Sequence, residues 1–294
     1  MRVNFAESLK SAKSLSAFLG VFLALAAFGA LRTPAQNPDT LLPEESAAKG
    51  KQILDQLISA LGGPGYLSIH DSDCEGRLAR FGHSGELTGY TNFKVYWRYP
   101  DKNRTDFTKK GVIINLYNGD KGWTLDRGGV TELPSSSVAD FQEQAKRDIN
   151  NLLRVRLKEP GMTIRYAGSD IVDLKTIDWV ELIDSEQRDF RLAVDRTTHF
   201  LVRSVVTVED QETHEHRSET YIYTNYQLID GAWTPLQITL DRDGRRISQV
   251  FFQSCKYNPP FPQDFFTRAA LDKRYSEVGS KKYKEEKRKE KEDN

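Results

Sequence analysis

The chain has 294 residues, room for one large domain or two small ones, and its 38% hydrophobic and 11% aromatic residues are enough for a real core. Lys plus Arg and Asp plus Glu number 42 each, so net charge gives no reason to expect a nucleic-acid partner. Residues 1–35 hold four basic residues and one acid; without them 38 basic and 41 acidic residues remain, a net of −3 with no pull toward anionic surfaces.

Residues 1–35 read as a targeting segment. Lys10 and Lys13 close a positive start, and Leu15 to Leu31 is an uncharged apolar run. Thr33-Pro34-Ala35 then supplies small residues for cleavage before Gln36. The run is slightly long for a signal core and slightly short for a membrane span of about 20 residues. A cleaved signal is the expectation, an uncleaved N-terminal anchor the alternative, and the expected location is periplasmic. No Cys directly follows the run, which excludes lipid attachment at a processed Cys.

Residues 36–46 are a Pro-rich polar linker. From Ala47 to Leu61 the spacing of Ile53, Leu54, Leu57, Ile58 and Leu61 predicts a helix, stopped by Gly62-Gly63-Pro64-Gly65. The period then changes to two. Strands are predicted over 66–83, 86–99, 102–109, 112–117 and 122–125, with a hairpin at Asn118-Gly119-Asp120. Pro134 and Ser135 to Ser137 offer cap chemistry for a second helix, Ser137–Lys158, whose apolar stripe is Phe141, Ala145, Ile149, Leu152, Leu153 and Leu157. Strands resume over 162–168, 177–184, 187–195, 199–209, 216–229, 233–241 and 245–257, with tight turns at Asp230-Gly231 and Asp243-Gly244.

This pattern predicts a mainly β domain over 47–270. Its core is a single curved antiparallel sheet or unclosed barrel of about 11–12 strands, with the two helices on its concave face. Residues 271–294 are charged and read as an unstructured tail. Cys74 and Cys255 fall in the first and last strand-like segments. Export permits a disulfide between them, and two separate buried thiols are the alternative.

No catalytic set can be singled out. HExxH and GxSxG are absent, and His214-Glu215-His216 lies in a charged turn where alternate residues point apart, so no metal is expected. No loop has the spacing of a phosphate or dinucleotide site, and no cofactor is expected. The acids Asp170 and Asp173 sit near a turn, where acidic pairs are common. Large aromatics spread over many strands instead suit an internal cavity for an acyl chain, and alternation lets only half of them face inward. The candidate lining is Phe93, Val95, Trp97, Trp123, Phe141, Ile149, Tyr166, Trp179 and Phe190.

Several stretches together resemble the outer-membrane lipoprotein-sorting superfamily, the LolA/LolB-like periplasmic carriers. They are the opening helix from Ile53 to Gly63; Phe93 to Arg104 with Pro100; Asn118-Gly119-Asp120-Lys121-Gly122-Trp123; Val194 to Arg203; Tyr226 to Pro235; and Tyr257-Asn258-Pro259-Pro260-Phe261-Pro262 with Phe265-Phe266. The likeness spans residues 49–267. It implies an unclosed barrel with helices as a lid, enclosing a cavity for lipoprotein acyl chains, in a monomer that is not an enzyme. Lipid or a lipidated protein is the implied partner. The alternative is a sensor like the RseB-type regulators, which binds a membrane-anchored partner. The family carries an Arg tied to lid opening directly before the Pro of its early strand. Here Tyr99 holds that place, with Arg98 one residue earlier and so on the other face. Arg98 or Arg104 is the candidate substitute in lid gating.

Overall fold

The computed structural model describes residues 41–107, 113–209 and 216–278. The segment 1–35, linker residues 36–40, His214 and residues 279–294 lie outside the described residues. Strands β1 (Asp71–Phe81), β2 (Leu87–Arg98), β3 (Lys102–Asp106), β4 (Ile114–Asn118), β5 (Lys121–Asp126) and β6 (Gly129–Glu132) form one antiparallel meander. A second comprises β7 (Thr163–Val172), β8 (Lys175–Ile183), β9 (Asp189–Asp195), β10 (Leu201–Glu209), β11 (His216–Ile229), β12 (Ala232–Arg242) and β13 (Arg245–Tyr257). The last strand pairs with the first, so all thirteen make one sheet with β6 and β7 as its free edges. This is the expected unclosed half-barrel.

The seam between β1 and β13 joins residues from opposite ends of the domain. It is stapled by a disulfide between Cys74 and Cys255, which face each other in register with Cα atoms 4.1 Å apart. Turn chemistry sets the neighbouring hairpins. Asp230 and Gly231 have φ of 47° and 82°, and Asp243 and Gly244 have 49° and 76°. Two successive positive φ values twist a two-residue loop the same way as its strands, so β11, β12 and β13 return directly on one another.

Helix α1 (Pro43–Leu61) lies on the inner face and buries Ile53, Leu54, Leu57 and Leu61 against Val180, Leu182, Phe190 and Leu192. Each of those four side chains contributes about 1.5–3 kcal/mol on leaving water. The approach is close because Gly50 has no side chain: a Cβ there would sit 2.9 Å from the backbone carbon of Arg165. Ser46 Oγ accepts from the N–H of Tyr166 (3.1 Å) and donates to its carbonyl (3.2 Å), so α1 also satisfies part of edge strand β7.

Five details depart from the sequence reading. The first helix begins at Pro43, so residues 43–46 of the stretch read as linker are its first turn, with Pro43 at the helix start and Glu44 and Glu45 at its positive end. Residues 64–67 form a short helix, α2 (Pro64–Leu67), and the first strand begins at Asp71. The thirteenth strand is β6, which directly follows the Arg127-Gly128 turn and, at four residues, is too short to show alternation. The second long helix is two helices, α3 (Ser135–Arg147) and α4 (Ile149–Arg154), followed by a 3-10 turn at Arg156–Lys158; α3 has no side-chain cap. Asp148 breaks it. Its backbone is extended, and its Oδ1 accepts from the N–H groups of Asn150 and Asn151, both at 3.0 Å, capping α4. The apolar stripe runs through this break, so periodicity could not reveal it. Finally, residues 268–278 form a helix, α5, so the first eight residues of the stretch read as a tail are ordered. Leu271 is fully buried against Ile114, Leu116, Trp123 and Leu125 on the outer face.

Candidate ligand cavity

Between α4 and the inner faces of β1, β2 and β11 to β13 lies a cavity of about 140 Å³. Strands β1 and β2 give it Cys74, Val95 and Trp97, followed by Tyr99 just past β2. Strands β11 to β13 give Tyr223, Tyr226, Ile238, Phe252, Cys255 and Tyr257, and the roof is Ile149, Leu153 and Arg154 of α4. Trp233 is 38% exposed and also lines it, marking its mouth.

The tyrosine hydroxyls that point inward are occupied. Tyr66 donates to Asn150 Oδ1 (3.2 Å) and Tyr226 to the Leu201 carbonyl (2.7 Å). Tyr223 bonds Ser204 Oγ (2.9 Å) and Tyr257 bonds Thr234 Oγ1 (2.6 Å). Burial pushes the Tyr66 hydroxyl up to about 12, against the pull of Arg154, and raises Tyr223 and Tyr226 well above the ordinary phenol value. These tyrosines therefore stay uncharged at any physiological pH.

Arg154 is the cation in this lining. It is 8% exposed, and its guanidinium lies 4.3 Å from the ring of Tyr66, 5.1 Å from Tyr99 and 5.9 Å from Tyr257. Its Nε and Nη1 have no hydrogen-bond acceptor. Tyr99, directly before Pro100, thus meets an arginine that comes from α4.

The lid is held on both flanks. On one, Phe141 stacks on Tyr117 at 4.2 Å and on Trp97 at 5.8 Å, while Asn151 Nδ2 donates to the Pro100 carbonyl at 2.6 Å. On the other, an ionic cluster ties α3 to the β8–β9 turn. Arg188 grips both carboxylate oxygens of Glu143 at 2.8–3.1 Å, Lys146 reaches Glu186 at 3.0 Å, and Arg156 and Arg188 both bond Asp184, at 2.8 and 2.9 Å. The Asp184 side chain is fully buried. Burial pushes the carboxyls of Asp184 and Glu143 up, but bonds from Arg156 and Arg188 to Asp184, and from Arg188 and Lys146 to Glu143, override it and hold both below the ordinary range.

The residues singled out from the sequence divide by strand face. Val95, Trp97 and Ile149 line the cavity. Phe93 sits one step beyond, edge-on to Phe252 at 5.9 Å, and Phe141 stands behind Trp97. Tyr166 and Phe190 lie in the packed core under α1. Trp123 and Trp179 are on the outer face: Trp123 packs on Leu271, and Trp179 packs beside Val172, Ile177 and Ala193 with Arg191 over its ring. Arg98 and Arg104 are outside as well. Arg98 clamps Asp71 at 2.9 and 3.0 Å, and Arg104 clamps Asp106 at 2.9 and 3.2 Å, beneath Phe261, Phe265 and Phe266. Neither reaches the cavity: even-numbered residues of β2 face out where Val95 and Trp97 face in, and Arg104 of β3 pairs with Tyr96 on that outer face. Sequence reasoning missed Arg154, Tyr66 and Tyr99, whose convergence depends on where α2 and α4 fold over the sheet.

Fold and site together define a class: a half-barrel with a helical lid over an apolar, tyrosine-rich cavity. No family model matches the chain, and no curated protein matches it in sequence. Among solved structures the fold is that of a DUF1329 family protein from Desulfovibrio piger (TM-score 0.53, 15% identity, 76% of this chain and 98% of the other). It is also that of a putative outer membrane lipoprotein-sorting protein domain from Vibrio parahaemolyticus (TM-score 0.51, 12% identity, 77% and 99%). At these identities the likeness establishes the fold alone.

Proposed function

We propose that this protein binds acyl chains of lipids or lipidated proteins in the cell envelope, as a carrier and not as an enzyme. The observation that carries the reading is the apolar cavity closed by a separately tethered lid. Its size sets a limit. About 140 Å³ holds roughly four or five groups the size of a water or methylene. At about 0.8 kcal/mol per methylene, that is about 4 kcal/mol, a dissociation constant near millimolar. Tight binding of a longer chain therefore requires the lid to lift, which suits a carrier that must also release. The disulfide supports an oxidising compartment. That agrees with the expected export signal at residues 1–35, whether it is cleaved or kept as an anchor. Among the described residues no helix is long and apolar enough to cross a membrane.

The test is native purification after expression of the full chain in a bacterial host, followed by lipid mass spectrometry and thermal melts. Co-purified acyl lipid, or stabilisation of about 2–3 kcal/mol by saturating lipid or acylated peptide, is expected. A protein that emerges empty and gains no stability refutes the reading.

A further inference from the structure

We infer that the cavity recognises a single-chain amphiphile by its carboxylate, with Arg154 as the anchoring cation. The inference rests on the acyl-binding reading above and adds the chemistry of the head group. The Arg154 guanidinium lines an apolar cavity, is more than nine-tenths buried and has no acceptor on Nε or Nη1, so two donors remain for an anion beyond what nearby Asp148 offsets. The tyrosine rings around it offer π faces but no anion. Asp148, the carboxylate in the same lining, is committed to capping α4, and Arg154 forms no ion pair among the described residues. A carboxylate entering with its chain along Val95, Trp97 and Phe252 can accept from both of these donors. A phosphate monoester head carries about −1.5 to −2 and would face one cation beside Asp148, so a head with a single negative charge fits better. A volume of about 140 Å³ admits one narrow chain, not two side by side.

The full chain is titrated at pH 8 with decanoate, 1-decanol and methyl decanoate, following Trp fluorescence or heat. Decanoate is expected to bind roughly tenfold or more tightly than the two uncharged ligands. Arg154→Gln should bring the ratio of decanoate to decanol affinity to about one, and Arg154→Lys should keep most of the preference. Equal affinities for acid and alcohol on the wild-type protein overturn the inference yet leave the acyl-binding reading standing. A preference that survives in Arg154→Gln overturns the assignment to Arg154. No binding of any of the three overturns both. Should Arg154→Gln fail to fold by circular dichroism, the wild-type ratio and the Arg154→Lys variant decide.

Discussion

Arg188→Gln tests whether the ionic cluster is the clasp of the lid. The guanidinium meets Glu143 of α3 through both carboxylate oxygens and meets Asp184 at 2.9 Å. Fully exposed pairs contribute about 0.2–1 kcal/mol, and breaking fully buried ones costs about 3–5 kcal/mol. Arg188 is 14% exposed and Glu143 31%, so their bidentate pair belongs between these limits, at about 1–2 kcal/mol. Asp184 is fully buried but keeps Arg156 and the N–H groups of Glu186 and Arg188. Losing one partner of several should add about 1 kcal/mol, making Arg188→Gln about 2–3 kcal/mol destabilising. Glu143→Gln alone should cost about 1–2 kcal/mol and almost nothing once Arg188 is gone.

Urea unfolding of the wild type, both single variants and the double variant measures the coupling. The pH dependence supplies a second check. The carboxyls of Glu143 and Asp184 sit below their ordinary values in the folded state, so their contribution is full above the unfolded value of about 4. It fades as pH falls below that toward the folded values, so the gap between wild type and Arg188→Gln should narrow as the solution is acidified. A coupling under about 0.3 kcal/mol, or a stability gap that persists in acid, refutes the clasp.

Other outcomes follow from the packing. Replacing Cys74 and Cys255 by Ser opens a loop with a sequence separation of 181 residues; chain entropy sets the loss at about 5 kcal/mol at most, read from melts with and without reductant. Gly50→Val should cost at least about 1–3 kcal/mol, since its side chain meets the β7 backbone; an unchanged melting temperature would mean that α1 does not lie so close. Leu271→Ala should cost about 2–4 kcal/mol and expose residues 268–278 to protease. If cleavage there is no faster than in the wild type, Leu271 is not what docks α5.

Alternation, turn pairs and Pro/Gly stops by themselves determined a mainly β, single antiparallel sheet interrupted by two helical segments. Such signals are local: Asp230-Gly231 and Asp243-Gly244 dictate backbone angles over two residues, and period two follows from the pleat. The strand pattern also implied that half the aromatics would miss the cavity. It could not say which half, because face assignment needs an absolute reference that only packing supplies. Trp97 faces in and Trp123 faces out for that reason. Tertiary structure alone decided three further things: that β13 closes on β1 and brings Cys74 opposite Cys255, that Leu271 anchors a helix in the charged stretch, and that α4 swings Arg154 among Tyr66, Tyr99 and Tyr257. Each is a meeting of residues far apart in the chain, and no local pattern encodes a distance of that kind.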